Sequence, residues 1–398
     1  MRKFQLKNAN LVDVEKATLV PNAQLYVSDG CFVGPQDASA DIPEIDCQGK
    51  FIAPGIIDCH VHLVWDGRSS DPMSDTERDG DLLCFAKACA NVGNSLRAGV
   101  TLVRDVGACN DATIPLTAAI NQGYIVGSHL IPTGGAIQAT YGHCPMIGHI
   151  CDTAQDLVRR IKQLKAAYSQ YQVHPPHWIK IMTSGGAAGL EDVGPCMYSE
   201  EELAVIVSEA HRLNMKVAAH ALSYDSISKC VNAGIDTIEH GAEMTEEILQ
   251  KMKANGQTWI PTLAVYKMLA ESRGIIPDFM VDKSIIVTAK QKAAFALAME
   301  IGVNIAMGSD AGSANFGPHP SAFREMAAME AYGMPKPQVL RSATADAARV
   351  LGLGDKVGTL QAGKRADFVM LEQNPLTEGV SAYTDSLLAV YKQGELVK

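Results

Sequence analysis

The sequence predicts an α/β protein: a (β/α)8 TIM barrel with a small β-sandwich domain built from both chain ends. Two observations predict it. Short apolar runs rich in β-branched residues alternate with long helical patterns through the middle of the chain, and turn-rich β-like segments flank that region on both sides. The 398 residues are enough for one large barrel and a smaller domain. The expected boundaries are 54–353 for the barrel, and 1–53 with 354–398 for the composite β-sandwich domain.

The first segment, up to about residue 50, alternates in polarity and breaks at Asp29-Gly30, which is a hairpin signal. After a last helical pattern at 336–351 the chain becomes β-like again over 358–371 and 387–394. We expect these two end segments to pack together and to be structural.

Eight apolar runs supply the barrel strands, and helical patterns such as 152–171, 199–213 and 282–301 separate them. Ser199 followed by Glu202 predicts a capping box at the start of one helix. A doubly wound open sheet is the alternative, but it would favour a glycine-rich phosphate fingerprint after the first strand, and the sequence has none there. The strand runs are 52–62, 101–107, 129–135, 177–185, 216–222, 237–241, 258–263 and 304–310.

The composition excludes several classes of partner. A net charge of −10 argues against nucleic acid and anionic membranes as main partners. The apolar runs are too short or too interrupted by charge to span a bilayer, and the N-terminus lacks a signal-peptide pattern. The ten cysteines contain no C-x-x-C pair, so we expect free thiols in a reducing cytoplasm.

The first barrel strand ends in His60-Val61-His62. Residues i and i+2 of a strand point to the same face, so the two imidazoles project together and could hold one metal ion. Two ordinary histidines at a strand end would give the same short pattern, so the pair does not decide the matter alone.

Other titratable residues stand at the carboxyl ends of later strands: Lys180, His220, His240 and Asp310. A barrel brings all these ends to one face. Singly, each residue has an ordinary explanation: a salt-bridged lysine, a core histidine or an aspartate that forms a turn. A bare Lys180 ammonium buried beside metal-binding histidines would be unfavourable, whereas its carboxylation by CO₂ would give an anionic carbamate able to bridge two metals.

This constellation resembles the amidohydrolase superfamily with a binuclear metal centre, and the likeness extends over the whole chain, including 51–58, 341–352 and 358–368. The resemblance implies two Zn²⁺ per chain. His60, His62 and Asp310 would hold one ion, and His220 and His240 the other. Carboxylated Lys180 and a hydroxide would bridge them. The implied mechanism is attack of the hydroxide on a carbonyl, with Asp310 passing its proton to the leaving amine.

Within the superfamily, the chain is most similar to the branch of Xaa-Pro dipeptidases and carboxypeptidase-like enzymes, which has imidazolonepropionase-like and ochratoxin-amidase-like members. In that branch a histidine after strand three contacts the substrate carbonyl, and a tyrosine after the strand-five histidine assists. The matching positions are His143 and Tyr224. The chain departs from the branch in having Ala136, where a histidine often follows the glycine pair.

The resemblance implies a dipeptidase or carboxypeptidase acting on small Xaa-Pro or N-acyl amino acid substrates with an apolar or proline C-terminal residue. A cyclic amide hydrolase and an ochratoxin-type amidase are the alternatives. A deaminase would lack Lys180 and usually has a glutamate shortly after the strand-five histidine. A non-catalytic scaffold would be expected to have lost ligands, and none is missing. Arg68, Arg78 and Arg104 could each bind a substrate carboxylate or simply be solvated. Enzymes of this branch tend to associate, so we expect a homo-oligomer.

Overall fold

The computed structural model describes residues 3–37 and 42–398, which form a mixed α/β protein. The strands in chain order are β1 (Phe4–Asp13), β2 (Thr18–Ser28), β3 (Cys31–Val33), β4 (Glu44–Asp46), β5 (Phe51–Pro54), β6 (Ile56–Val61), β7 (Val100–Asp105), β8 (His129–Pro132), β9 (Ala136–Gln138), β10 (Gly148–Ile150), β11 (His177–Met182), β12 (Met215–Ala221), β13 (Thr237–His240), β14 (Thr258–Ile260), β15 (Asn304–Ile305), β16 (Phe368–Leu371), β17 (Leu387–Lys392) and β18 (Glu395–Leu396).

The helices lie mostly between the strands of the middle region. In chain order they are α1 (Pro72–Arg97), α2 (Thr113–Asn121), α3 (Ala154–Gln170), α4 (Glu200–Arg212), α5 (Tyr224–Ala233), α6 (Glu246–Asn255), α7 (Leu263–Ala270), α8 (Asp278–Ile301), α9 (Ala322–Ala331), α10 (Lys336–Ser342), α11 (Ala345–Val350), α12 (Pro375–Glu378) and α13 (Ser381–Ser386). None of the helices in the described part of the chain combines the length and apolarity that a membrane crossing requires.

Both chain ends contribute to one sheet of eight strands, in the order β18-β17-β16-β5-β1-β2-β3, with β4 paired to β1. Strand β5 joins the two ends, because it pairs parallel with β1 and antiparallel with β16. The sheet encloses a small apolar core that includes Leu6, Phe32 and Phe368. The two ends therefore pack together as expected. They form a single continuous sheet, however, and not the two packed sheets of the predicted β-sandwich. The domain boundaries stay a prediction.

All eight predicted strand runs form parallel strands of the middle region, in two arcs ordered β6-β7-β8 and β10-β9-β11-β12-β13-β14-β15. Backbone bonds connect β6 to the segment after β15, from Cys59 N to Met307 O (3.0 Å) and from Asp310 N to His60 O (2.7 Å). Between β8 and β11, the Tyr168 hydroxyl lies 2.8 Å from Pro132 O and 2.7 Å from Trp178 O. The described residues form these two arcs and not one continuous closed ladder.

The local sequence explains where the elements begin and end. At α4 the predicted capping box is present, since Ser199 Oγ accepts from Glu202 N (3.2 Å) and Glu202 Oε2 accepts from Ser199 N (2.8 Å). The strands β6, β7 and β11 are buried at every position, as expected for parallel strands covered on both faces. All ten cysteines are free, as predicted.

Candidate active site

The carboxyl ends of the parallel strands bring the predicted metal ligands together. The ring centroids of His60 and His240 lie 4.9 Å apart, and those of His220 and His240 lie 4.6 Å apart. Asp310 Oδ1 lies 3.4 Å from the Nε2 atoms of both His60 and His62. Strand ends that are far apart in the sequence thus present imidazole and carboxylate groups to one buried point.

The donor set at this point fits divalent cations. Ligand atoms of His60, His240 and Asp310 all lie within 4.8 Å of one another. Lys180 is 1% exposed, and its Nζ has no hydrogen-bond partner, nor has His60 Nε2. Burial lowers the pKa of Lys180 to about 8, against the opposing effect of the Glu239 and Asp310 charges. Buried polar atoms without a partner are expected where a further group is to be bound.

The backbone bends sharply at two of these ligands. His240 has φ 69° and Asp310 has φ 60°, both in the left-handed region that residues other than glycine seldom occupy. At His240 the bend interrupts the alternation of the strand, so Glu239 and His240 both face the site. Glu239 Oε2 lies 2.6 Å from His60 Nδ1. A carboxylate behind a histidine orients the ring and fixes the tautomer that leaves Nε2 free for a metal.

Arg104 supports this carboxylate and is not a substrate anchor. Its Nη2 donates to Glu239 Oε1 (2.8 Å) and its Nε to Cys59 O (2.6 Å), in a fully buried position. Burial would raise the pKa of Glu239, but the charges of Arg104 and His60 outweigh it and lower that pKa to about 2. Arg78, another candidate anchor, pairs with Asp75 and Asp79 on the surface.

Further polar contacts fix the other ligands. His240 Nδ1 lies 2.7 Å from Thr262 Oγ1, and His62 Nδ1 lies 3.3 Å from Gly107 O. Asp58 accepts from Ser309 N (2.9 Å) and from Ser309 Oγ (2.6 Å), which holds the backbone next to Asp310. Sequence reasoning missed the roles of Glu239, Thr262 and Asp58, although the first directly precedes a predicted ligand.

The structure brings His143 to the predicted metal ligands. Its ring stacks on that of His220 with centroids 4.6 Å apart, and its Nδ1 lies 2.6 Å from Glu191 Oε1. Burial opposes protonation of His143, but Cys144 and Glu191 outweigh burial and raise its pKa to about 10.

Tyr224 lies elsewhere. It begins α5, is 45% exposed and lines a separate depression with Glu243 and Lys290. The tyrosine that does border the ligands is Tyr266 of α7, whose buried ring lies 5.6 Å from that of His240. No pattern in the sequence distinguished Tyr266. The catalytic role of Tyr224 stays a prediction.

A cavity opens onto the cluster and is bordered by Lys180, His143 and Asp310. Among the described residues that line it, Lys180 is the sole lysine or arginine. Large apolar side chains form much of the remaining wall, among them Trp65, Met73, Met182, Val265, Leu269 and Met280. The cavity therefore suits a substrate with an apolar group next to the reacting bond.

Comparisons with known proteins agree with this arrangement. Ochratoxinase from Aspergillus niger is 28% identical over an alignment of 420 positions, which covers 95% of this chain and 83% of ochratoxinase. Imidazolonepropionase from Erwinia tasmaniensis is 24% identical over 401 residues, covering 92% of this chain and 88% of that protein. A solved structure of a Xaa-Pro dipeptidase with bound methionine in its active site is 25% identical, covers 99% of each chain and superposes with a TM-score of 0.87.

The profile of the Amidohydrolase family matches residues 51–397, most of the chain. The predicted resemblance is thereby confirmed, and this chain belongs to the amidohydrolase family.

Proposed function

We propose that the protein is a metal-dependent amidase that cleaves a peptide-type C–N bond in Xaa-Pro or N-acyl amino acid substrates. Family membership supports a hydrolase of amide bonds. The observation that carries the metal dependence is Lys180, which is buried and unpartnered and lines the same cavity as His220, His240 and Asp310. An unmodified ammonium has no favourable place there, whereas a carbamate on the same nitrogen would be a ligand.

Two Zn²⁺ would be held by this cluster. His60, His62 and Asp310 would bind one ion, His220 and His240 the other, and carboxylated Lys180 would bridge them. Bound there, the ions would lower the pKa of a water molecule and polarise a carbonyl group. The strands around the site would close into the barrel typical of the family, with 54–353 as the catalytic domain.

The protein groups then have separate tasks. Asp310, whose carboxylate stays ionised because neighbouring histidines outweigh the effect of burial on its pKa, would accept a proton from water and return it to the leaving amine. His143 would donate a hydrogen bond from Nε2 to the carbonyl oxygen of the substrate. The apolar wall would hold the residue on one side of the scissile bond.

A hydrolysis screen of the zinc-loaded protein tests this proposal. The substrates are Xaa-Pro and Xaa-Arg dipeptides, N-acyl amino acids, lactams and lactones, with metal-stripped protein as the control. We expect release of the C-terminal residue from apolar or proline substrates, with loss of at least about a hundredfold in rate when the metal is removed. Turnover of lactams alone would favour the cyclic-amide alternative, and ammonia release from a purine without amide cleavage would refute the proposal.

A further inference from the structure

His60, Lys180, His220 and His240 lie within strands, whereas His143 lies in the segment between β9 and β10. Its partner Glu191 belongs to another irregular segment, residues 183–199 between β11 and α4, here called the β11–α4 loop. Besides contacting His143 Nδ1 at 2.6 Å, Glu191 Oε1 accepts from Gly186 N at 3.1 Å. One carboxylate oxygen thus ties the imidazole to the backbone of this loop.

The loop can lie against His143 only because two of its residues are glycines. A Cβ at Gly186 would fall 2.2 Å from His143 Cε1, and a Cβ at Gly189 would fall 1.7 Å from Glu191 Oε2. Gly186 does not have a positive φ, so space and not backbone conformation is the requirement there. The loop backbone is packed directly against the pair formed by His143 and Glu191.

A lysine from a distant helix fixes this loop. Lys283 of α8 donates from Nζ to the carbonyl oxygens of Gly186 (3.3 Å), Gly189 (2.8 Å) and Glu191 (2.5 Å). An ammonium has three protons to donate, and three loop carbonyls lie within reach of this one. The backbone on both sides of the His143 contact is therefore anchored to α8.

The contact also determines which way the ring faces. With Nδ1 held by Glu191, Nε2 is on the side of Cys144 Sγ, 3.2 Å away, and Cys144 lines the cavity. Nε2, at the end of the ring away from Glu191, thus faces the space that a substrate would enter.

We propose that Glu191 and Lys283 are positioning residues, which hold His143 so that Nε2 can reach the substrate carbonyl. This inference rests on the proposed function of His143. The two residues do not touch the reacting atoms, and none of the predicted metal ligands depends on them for a hydrogen bond. Their removal should therefore affect turnover and leave metal binding intact.

Four variants test whether Glu191 and the loop position His143: Glu191→Ala, Glu191→Gln, Lys283→Met and Gly186→Ala. We expect Glu191→Ala to lower kcat about ten- to a hundredfold because the ring loses its fixed orientation, with KM changed less than about threefold. Glu191→Gln should retain more activity than Glu191→Ala, since its amide oxygen still accepts from Nδ1–H and keeps the ring oriented. Gly186→Ala should lower kcat without changing any charge. Lys292→Met, an exposed lysine of the same helix, is the matched control.

Two readouts separate positioning from a general structural role. Zinc content per chain should equal that of the wild type in every variant. Hydrogen–deuterium exchange of residues 183–199 should rise in Lys283→Met and stay at the wild-type level in Lys292→Met. In addition, the double variant Glu191→Ala/Lys283→Met should be no slower than Glu191→Ala alone, because both changes act through His143.

Unchanged kcat in Glu191→Ala would overturn the inference, and so would a loss of zinc that accounts for its lower rate. Unchanged exchange in Lys283→Met would refute the anchoring step. If the wild type hydrolyses no substrate of the screen, the proposed function fails instead. The exchange experiment decides the anchoring step in either case, because it needs no substrate.

Discussion

The candidate site has two halves that are built differently. Predicted metal ligands such as His60, Lys180 and His240 sit on parallel strands, where ladder hydrogen bonds set the position of each residue. His143, in contrast, comes from an irregular segment and is held by the β11–α4 loop. The backbone hydrogen bonds of the sheet fix the position of a residue in a strand, whereas specific side-chain contacts must fix the position of a residue in a loop.

The groups behind the two halves differ as well. Glu239, behind His60, is paired with Arg104 in a fully buried ion pair, while Glu191, behind His143, belongs to a loop that the Lys283 ammonium holds through neutral carbonyls. Removing one member of a buried ion pair leaves an uncompensated charge, and that costs far more than the loss of a hydrogen bond to a carbonyl. Damage to the strand-borne half should therefore be the more severe.

The largest effect is expected for Lys180→Ala. Without the bridging group, zinc content should fall from about two ions per chain to less than about one, and kcat/KM should fall on the order of a thousandfold. Metal analysis and the amidase assay measure both. Added acetate or propionate, which can enter the vacated space, should restore part of the activity. A fully active Lys180→Ala enzyme would remove the bridge from the mechanism.

Glu239→Gln should come next. His60 keeps a partner for Nδ1 but loses a charge-assisted bond, and Arg104 is left buried without its counter-charge. We expect a ten- to hundredfold weaker zinc affinity or activity and a loss of about 3 kcal/mol in the free energy of unfolding. Zinc titration and chemical denaturation check these values. Glu243→Gln, at a partly exposed carboxylate that pairs with Lys290, serves as control and should change neither quantity.

Two tyrosines allow a residue at the cavity to be compared with a residue outside it. Tyr266→Phe and Tyr224→Phe each remove one hydroxyl, but only the first of these residues borders the cavity. We expect Tyr266→Phe to reduce kcat/KM by up to about tenfold and Tyr224→Phe by less than about twofold. The reverse order, measured with the same amide substrate, would support Tyr224 as the assisting residue.

The smallest effect is expected for Lys392, which lies outside both halves of the site and should make stability depend on pH. Lys392 of β17 donates to Gly127 O (2.6 Å), and burial lowers its pKa to about 8. Between that value and the ordinary 10.5 of lysine, the unfolded chain binds more protons than the folded protein, so stability should rise with pH in this window. As the pH is raised through this window, the melting temperature of the wild type should rise by a few degrees relative to that of Lys392→Met. Parallel curves for the two proteins would show that this lysine does not titrate abnormally.

The grouping of the strand-borne residues could be predicted from the sequence, for a physical reason. The end of each parallel strand can be read from apolar runs, and parallel strands must share their carboxyl edge, so Lys180, His220 and Asp310 could be grouped without coordinates. The role of Glu239 was not predicted, because regular alternation would point its side chain away from that of His240. The local sequence pattern does not indicate the bend at His240, where φ is 69°. Glu191, Lys283 and Tyr266 depend on how loops and helices pack in three dimensions.

The architecture follows the same distinction. Parallel strands and the capping box of α4 were predicted from local sequence, and the packing of both chain ends into one β-domain was predicted from their β-like patterns. That β5 would link these ends into a single sheet depends on pairing partners more than 300 residues apart, such as Ile52 and Met370. Such pairings are chosen by tertiary packing and have no local signature.

Anomalous diffraction from zinc-loaded crystals tests the central claim most directly. We predict two zinc peaks per chain, one beside His60, His62 and Asp310 and one beside His220 and His240, with additional density on Lys180 Nζ between them. A single zinc peak, or a bare Lys180 ammonium beside two ions, would contradict the account.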